Sequence, residues 1–306
     1  MRRDDGAGAA RAHECGGSAP AGGRCLTDAA TIRALAERSG FRFSKALGQN
    51  FLRAAWVPAR IAAEAGPDRE TGVLEVGPGV GCLTAELAGR AKRVLAVELD
   101  RRLAPLLAET LDGLENVELL FADVLKLDLP ALVEARFGDC ARVMVCANLP
   151  YQITTPVLTA FVRAGCFSRL TVMLQKEVAA RICAAENTPE YGAFSVLMQW
   201  HMLPELLFDV PPSCFLPPPK VTSSVLRLTP RTVPPAPVAD AAQLQALVRA
   251  AFQQRRKTLC NALCHGLGRP REEVLAALAA CGLDARVRGE ALSLAQFAAL
   301  SDALGG

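Results

Sequence analysis

Val73-Leu74-Glu75-Val76-Gly77-Pro78-Gly79-Val80-Gly81 is the stretch that sets the fold of this chain. Its first four residues form a short apolar run bounded by turn chemistry, the pattern of a buried strand. Three glycines at alternate positions then let the backbone turn sharply. A helix is predicted from about Gly81 to Arg90, with Leu83 and Leu87 on one face. Strand, glycine turn and helix in that order are the opening of a βα unit. The same rhythm continues outward. Arg93-Val94-Leu95-Ala96-Val97 reads as the second strand, and Asp100 as the N-cap of a helix carrying Leu103, Leu106, Leu107, Leu111 and Leu114. Further strands are predicted at Val117–Leu120, Arg142–Cys146 and Leu170–Leu174, and two more near 203–208 and 221–228. The alternation predicts an α/β, Rossmann-like sheet with helices on both faces.

The pattern ends at Pro230–Pro237, where four prolines read as a linker. Beyond it the chain is predicted all-helical. Leu244, Leu247, Val248, Ala251 and Phe252 form one stripe, Pro270 opens a helix that Gly282 closes, and Ser293 with Gln296 makes a capping box for the last helix. The expected organisation is an N-terminal extension (1–29), a ligand-binding α/β domain (30–232) and a small helical C-terminal domain (233–306). The extension is rich in Gly, Ala and Arg without periodicity, and it has no signal-peptide core. It is expected to be disordered, or to reflect a start codon assigned too early.

The 306 residues, 51% of them hydrophobic and 21% charged, suit one large and one small globular domain. No apolar stretch approaches bilayer-spanning length, so no membrane partner is expected. The eleven cysteines are scattered and mostly sit in apolar runs. Reduced thiols in the cytoplasm are the expected state, and no metal site is expected. The formal net charge of +3 is small, so the placement of the basic residues matters more than their sum.

Ligands of open α/β sheets bind beyond the carboxyl ends of the strands. The glycine turn there can aim backbone N–H groups at a ligand, although a tight turn without a ligand has the same sequence. Glu98 ends the second strand about 20 residues further on, where a carboxylate takes ribose hydroxyls. Asp123 follows the third strand and could accept the N6 hydrogens of a cofactor's adenine. Both acids could also be plain caps at strand ends. Asn148-Leu149-Pro150-Tyr151 follows the fourth strand and offers two carbonyl acceptors and an aromatic ring to a flat heteroaromatic amine. An NAD site would need a second nucleotide fingerprint. S-adenosylmethionine needs adenosine contacts and room for methionine, and is the expected cofactor.

With these residues in place the chain resembles the small-subunit rRNA adenine N6,N6-dimethyltransferases, within the class I S-adenosylmethionine-dependent methyltransferases. The resemblance runs from about Phe43 to Leu263. It is carried by Lys45-Ala46-Leu47-Gly48-Gln49-Asn50-Phe51-Leu52, the Glu75–Gly81 turn, Val97-Glu98-Leu99-Asp100 and Asn148–Tyr151. It continues in Met173-Leu174-Gln175-Lys176-Glu177-Val178, Pro217-Pro218-Pro219-Lys220-Val221 and Phe252-Gln253-Gln254-Arg255-Arg256-Lys257-Thr258-Leu259. The resemblance implies cofactor contacts at Asn50, Leu52, Gly77, Glu98, Asp123 and Asn148. It implies a base clamp of Asn148, Leu149, Pro150 and Tyr151, with Phe215 as the second ring around the target adenine. Without it Phe215 reads as a core aromatic.

The implied activity is N6,N6-dimethylation of two adjacent adenosines in the 3′-terminal hairpin of 16S rRNA, in an immature 30S subunit, by a monomeric enzyme. The cluster Arg255-Arg256-Lys257, with Arg249, Arg269 and Arg271 around it, and Lys220 beside the expected base pocket are the RNA-binding candidates. Two rival readings are a 23S rRNA adenine methyltransferase of the macrolide-resistance type and a mainly non-catalytic ribosome-assembly factor on the same fold.

Overall fold

The computed structural model describes residues 26–40 and 49–305. Residues 1–25 of the extension, and Lys45 to Gly48 of the first motif, lie outside the described residues. Asp28 caps α1 (Ala29–Arg38), accepting the Thr31 N–H at 2.8 Å. The chain continues through β1 (Phe51–Leu52), α2 (Trp56–Ala65), β2 (Thr71–Val76), α3 (Cys82–Ala88), β3 (Arg93–Glu98), α4 (Ala104–Thr110) and β4 (Val117–Phe121). Then come α5 (Leu129–Phe137), β5 (Arg142–Asn148), α6 (Thr154–Ala164), β6 (Arg169–Gln175), α7 (Lys176–Cys183), α8 (Ala193–His201), β7 (Met202–Val210), β8 (Phe215–Leu216) and β9 (Ser223–Pro230).

Seven strands form one sheet in the order β4-β3-β2-β5-β6-β9-β7. The pairings among β4, β3, β2, β5 and β6 are parallel, and β9 runs antiparallel to both of its neighbours. Every residue of β2 is buried, as expected of a parallel strand covered on both faces. Alternate residues feed two separate cores. Val73, Val94 and Cys146 pack toward α1–α4, while Leu74, Leu95 and Val145 pack toward α5–α8. The α/β Rossmann-like expectation is therefore met.

Local boundaries differ from the sequence pattern in two places. The segment after Asp100 is a 3₁₀ turn over Arg101–Leu103 followed by the short helix α4, and Leu114 lies beyond its end. Gly113, at φ +79°, turns the chain there, so the apolar spacing outlasts the helix. The seventh sheet strand, β7, has a register shift between Leu206 and Phe208, which a period-two reading does not anticipate.

After the proline-rich segment, α9 (Ala241–Gln253), α10 (Leu259–Leu267), α11 (Arg271–Ala280) and α12 (Leu294–Gly305) build a third core. That core also takes Tyr191, Val196 and Trp200 from the α7–α8 region. Polar ties fix the joint. The Tyr191 hydroxyl donates to the Leu292 carbonyl at 3.0 Å, and Arg255 donates to the carbonyls of Pro189 and Tyr191 at 2.8 and 2.9 Å. The ends of the helices follow sequence. Gly282 and Leu283 donate to the Ala279 and Leu278 carbonyls in a Schellman closure of α11. Ser293 and Gln296 make the reciprocal capping bonds of α12 at 2.9 and 3.3 Å. Among the described residues, no helix is long and apolar enough to cross a membrane.

Candidate active site

The carboxyl ends of β2, β3, β4 and β5 open into one cavity of about 160 Å³. Every residue predicted to touch the cofactor or the base lines it: Asn50, Leu52, Gly77, Glu98, Asp123, Asn148–Tyr151 and Phe215. The predicted RNA contacts do not. Lys220, Arg256 and Lys257 are exposed and are not among the residues that line the cavity. Arg255 is exposed too, but its guanidinium is engaged by the two carbonyls at the joint. Two neighbouring arginines are similarly held. Arg269 pairs with Glu273 at 2.6 Å, and Arg271 donates to the Asn261 side chain at 2.7 Å.

The glycine turn forms the floor. Gly77, Gly79 and Gly81 all have φ between +61° and +87°. At Gly79 the demand is both conformational and steric, because an added Cβ would stand 3.0 Å from the Phe51 ring. Phe51 is placed there by a pairing the sequence pattern did not predict. β1 runs antiparallel to β8, with Phe51 opposite Leu216 and Leu52 opposite Phe215. Arg53 N–H donates to the Cys214 carbonyl at 2.8 Å, and Gln49 donates to Asp100 at 3.0 Å. These bonds lay the segment carrying Asn50 across the strand ends. They also seat Phe215, which is 2% exposed, in the sheet-side core while it still lines the cavity. Phe215 is thus a core aromatic and a cavity wall at once.

The two strand-end acids serve as caps as well. Glu98 Oε1 accepts the Asp100 N–H at 2.8 Å, and Asp123 Oδ1 accepts the Leu125 N–H at 3.1 Å. Glu98 is 8% exposed, and burial pushes its carboxyl above the usual carboxylate range. Lys126 stands 3.9 Å from Asp123.

Glu75 is a cavity residue to which sequence reasoning assigned no role. Its position inside the first strand gave no signal beyond an acid in an apolar run. It is fully buried, and its Oε2 has no hydrogen-bond partner among the described residues. Burial, with the Glu98 charge adding to it, raises its carboxyl from 4.5 to about 8.

At the base-clamp turn, Leu149 N–H donates to the Met173 carbonyl at 3.0 Å, fixing the end of β5. The Pro150 carbonyl accepts from the Ile153 N–H at 3.2 Å and from the Thr154 hydroxyl at 3.1 Å, where a 3₁₀ turn leads into α6. Both its lone pairs are thus used inside the turn. The Tyr151 and Ser223 hydroxyls are 2.7 Å apart, which sets the ring, and burial pushes the phenol up from its ordinary value. An added Cβ on Gly77 would stand 3.8 Å from the Asn148 carbonyl and from the Pro150 ring, so the glycine turn and the clamp turn abut.

The cavity fits S-adenosylmethionine on its own terms. Two carboxylates at successive strand ends suit ribose and adenine donors, the glycine turn leaves room for close backbone approach, and an orphaned buried carboxyl oxygen offers a further polar partner. Sheet order, glycine turn and strand-end acids define a Rossmann-like methyltransferase of class I.

Comparison with known proteins narrows the class. The profile of ribosomal RNA adenine dimethylases matches residues 40–304. Ribosomal RNA small subunit methyltransferase A of Geobacillus thermodenitrificans is 45% identical over 271 residues, covering 87% of this chain and 92% of the relative. The protein of that name from Streptococcus pneumoniae (strain P1031) is 42% identical, covering 92% and 98%. Among solved structures, the 23S rRNA methyltransferase ErmE has a TM-score of 0.64 at 30% identity, covering 84% of this chain and all of that one. A dimethyladenosine transferase from Plasmodium falciparum has a TM-score of 0.67 at 22% identity, covering 82% and 95%. The chain belongs to the ribosomal RNA adenine dimethylase family. Membership implies a ribosomal RNA substrate and S-adenosylmethionine as methyl donor.

Proposed function

We propose that this enzyme dimethylates N6 of two adjacent adenosines in the 3′-terminal hairpin of 16S rRNA, acting as a monomer on immature 30S subunits in the cytoplasm. The observation that carries the chemistry is the junction of the Asn148–Tyr151 turn with the cofactor-side residues in one cavity. Asn50, Leu52, Gly77, Glu98 and Asp123 are the residues that would hold the cofactor. When bound, S-adenosylmethionine supplies a sulfonium-borne methyl group that a nitrogen lone pair can take in one displacement.

The obstacle is the nucleophile, because the adenine N6 lone pair is delocalised into the ring. Asn148 Oδ1 and the Leu149 carbonyl are the two acceptors that would take the N6 hydrogens and let the nitrogen pyramidalise. Tyr151 would stack on the base, with Phe215 behind it as an apolar wall. A base inside folded RNA must be unstacked to reach this turn. A once-methylated amine still has a hydrogen for one acceptor, so the same clamp serves both transfers. Orienting the two reactants supplies the main acceleration, and no side-chain general base is required.

Identity favours the small subunit over the 23S alternative. The relatives named for the small subunit stand at 42–45%, against 30% for ErmE. Arg256, Lys257 and Lys220 are the exposed cations proposed to meet phosphates. The test is to incubate the protein with labelled S-adenosylmethionine and unmethylated 30S or 50S particles, and then to map the label. Label on paired adenosines of the 16S 3′ hairpin is expected. Label confined to 23S rRNA would overturn the substrate assignment, and no label on either particle would overturn catalysis.

A further inference from the structure

A second cavity, of about 300 Å³, lies where α6, α8 and α9 meet, between the sheet domain and the helical unit. Its walls are apolar, built on Phe194, Leu197 and Trp200 of α8 with Leu244 and Val248 of α9. Its polar edge carries Arg163 from α6 and Arg249 from α9, one from each side of the joint. No Asp or Glu lines it among the described residues. Several other arginines, Arg136, Arg227 and Arg269 among them, are held by carboxylates. Arg163 and Arg249 are exposed and take part in no ion pair among the described residues. An acid-free apolar groove flanked by two uncommitted guanidiniums complements a flat apolar group that carries an anion.

The position of the groove says which anion. Thr155, Thr159 and Arg163 line it from one face of α6, at i, i+4 and i+8. α6 begins at Thr154, directly after the Tyr151 turn. The groove therefore runs along about 12 Å of helix leading away from the base clamp. RNA delivering an unstacked adenosine to that clamp has its neighbouring nucleotides within reach of this helix.

We propose that the groove is a second nucleotide pocket, holding one unstacked nucleotide of the same RNA. Its base lies against Phe194 and Trp200, and its flanking phosphates lie on Arg163 and Arg249. This inference rests on the proposed RNA methyltransferase reading and extends it to how the substrate is gripped. Stacking on aromatic side chains and guanidinium contact with phosphate are the general means of holding single-stranded nucleic acid. Because the two walls belong to different units, such a nucleotide also ties the helical unit to the catalytic one while RNA is bound.

The test compares wild type, Arg163→Gln/Arg249→Gln and Phe194→Leu on unmethylated small ribosomal subunits. Binding is measured against salt, and methyl transfer as KM and kcat. S-adenosylmethionine binding and thermal midpoint serve as controls that the site and the fold are intact. The double arginine variant is expected to raise KM for the particle about tenfold with kcat within about twofold. It should flatten the salt dependence of binding by about 1 to 2 in the log–log slope. Phe194→Leu, which keeps the apolar bulk and loses the ring, is expected to weaken particle binding about tenfold with the slope unchanged. Unchanged KM and slope in the arginine variant would overturn the proposal. So would an effect of the arginines with none from Phe194→Leu, which would reduce the groove to a charged path. If the wild-type protein itself transfers no methyl to the particle, the parent reading has failed and this one falls with it. Normal wild-type transfer with silent variants condemns the groove alone.

Discussion

Glu75 sets a pH dependence that can be worked through from the structure. Its carboxyl is fully buried beside the Glu98 carboxyl and sits at about 8 in the folded chain against 4.5 when unperturbed. The sign follows from proton counting. Between those two values the unfolded chain has released the proton and the folded chain has kept it. The unfolded state therefore binds fewer protons, and stability falls as pH rises through this window. Above about 8 both states are ionised and the loss levels off. At about 1.36 kcal/mol per unit, the interval corresponds to roughly 5 kcal/mol as an upper bound, since relaxation and water entry reduce it. Glu75→Gln keeps the shape and removes the proton. The stability difference between variant and wild type, from urea denaturation at pH 5, 6, 7 and 8, is expected to grow in the variant's favour across the series. The constant cost of placing an amide there cancels in the trend. A difference that stays flat from pH 5 to 8 would refute the claim that Glu75 is held protonated. Glu98→Gln adds a check, because removing the charge that helps to raise Glu75 should move the midpoint below the wild-type value.

Asn148→Ala is expected to lower methyl transfer at least about 100-fold with the thermal midpoint almost unchanged, and near-normal labelling of RNA would sink the clamp. Gly79→Ala forces a Cβ into the left-handed region against the Phe51 ring, so a loss of about 1 to 2 kcal/mol in denaturant titration and weaker S-adenosylmethionine binding by calorimetry are expected. Arg255→Ala and Arg256→Ala should part company. The first loses one exposed and one partly buried bond to carbonyls at the joint and should destabilise by about 0.5 to 1.5 kcal/mol, whereas the second should leave stability intact and weaken RNA binding in a salt-dependent way. Tyr191→Phe strands the Leu292 carbonyl and should cost about 1 to 3 kcal/mol in the same titration.

What the sequence revealed depended on whether the signal was local. The strands β2, β3, β5 and β6 are continuous apolar runs because helices cover both faces, and such runs are visible without knowing what covers them. That Glu98, Asp123 and Asn148 line one cavity is legible for the same reason. Each follows a legible strand, and in a parallel sheet the ends of neighbouring strands share one edge. Two-residue strands have no period, so nothing in Phe51-Leu52 or Phe215-Leu216 announces that they pair across more than 160 positions. Only that pairing explains why Phe215 can be core and cavity wall together.

The joint between the two units shows the same limit from another side. Tyr191 and Trp200 belong by sequence to the sheet domain and by packing to the helical core. The proline-rich segment marks where the chain crosses over, not where the apolar surfaces divide. Arg255 illustrates the consequence. Read along the chain it belongs to a basic cluster, and its exposure agrees. In the fold its Nη2 group is held by the Pro189 and Tyr191 carbonyls, whereas Arg256 and Lys257 make no ion pair among the described residues. A basic run in a sequence counts charges, but only the packed joint decides which of them are tied to other groups. The same joint brings Arg163, which no sequence pattern singled out, and Arg249 of the basic cluster to one groove.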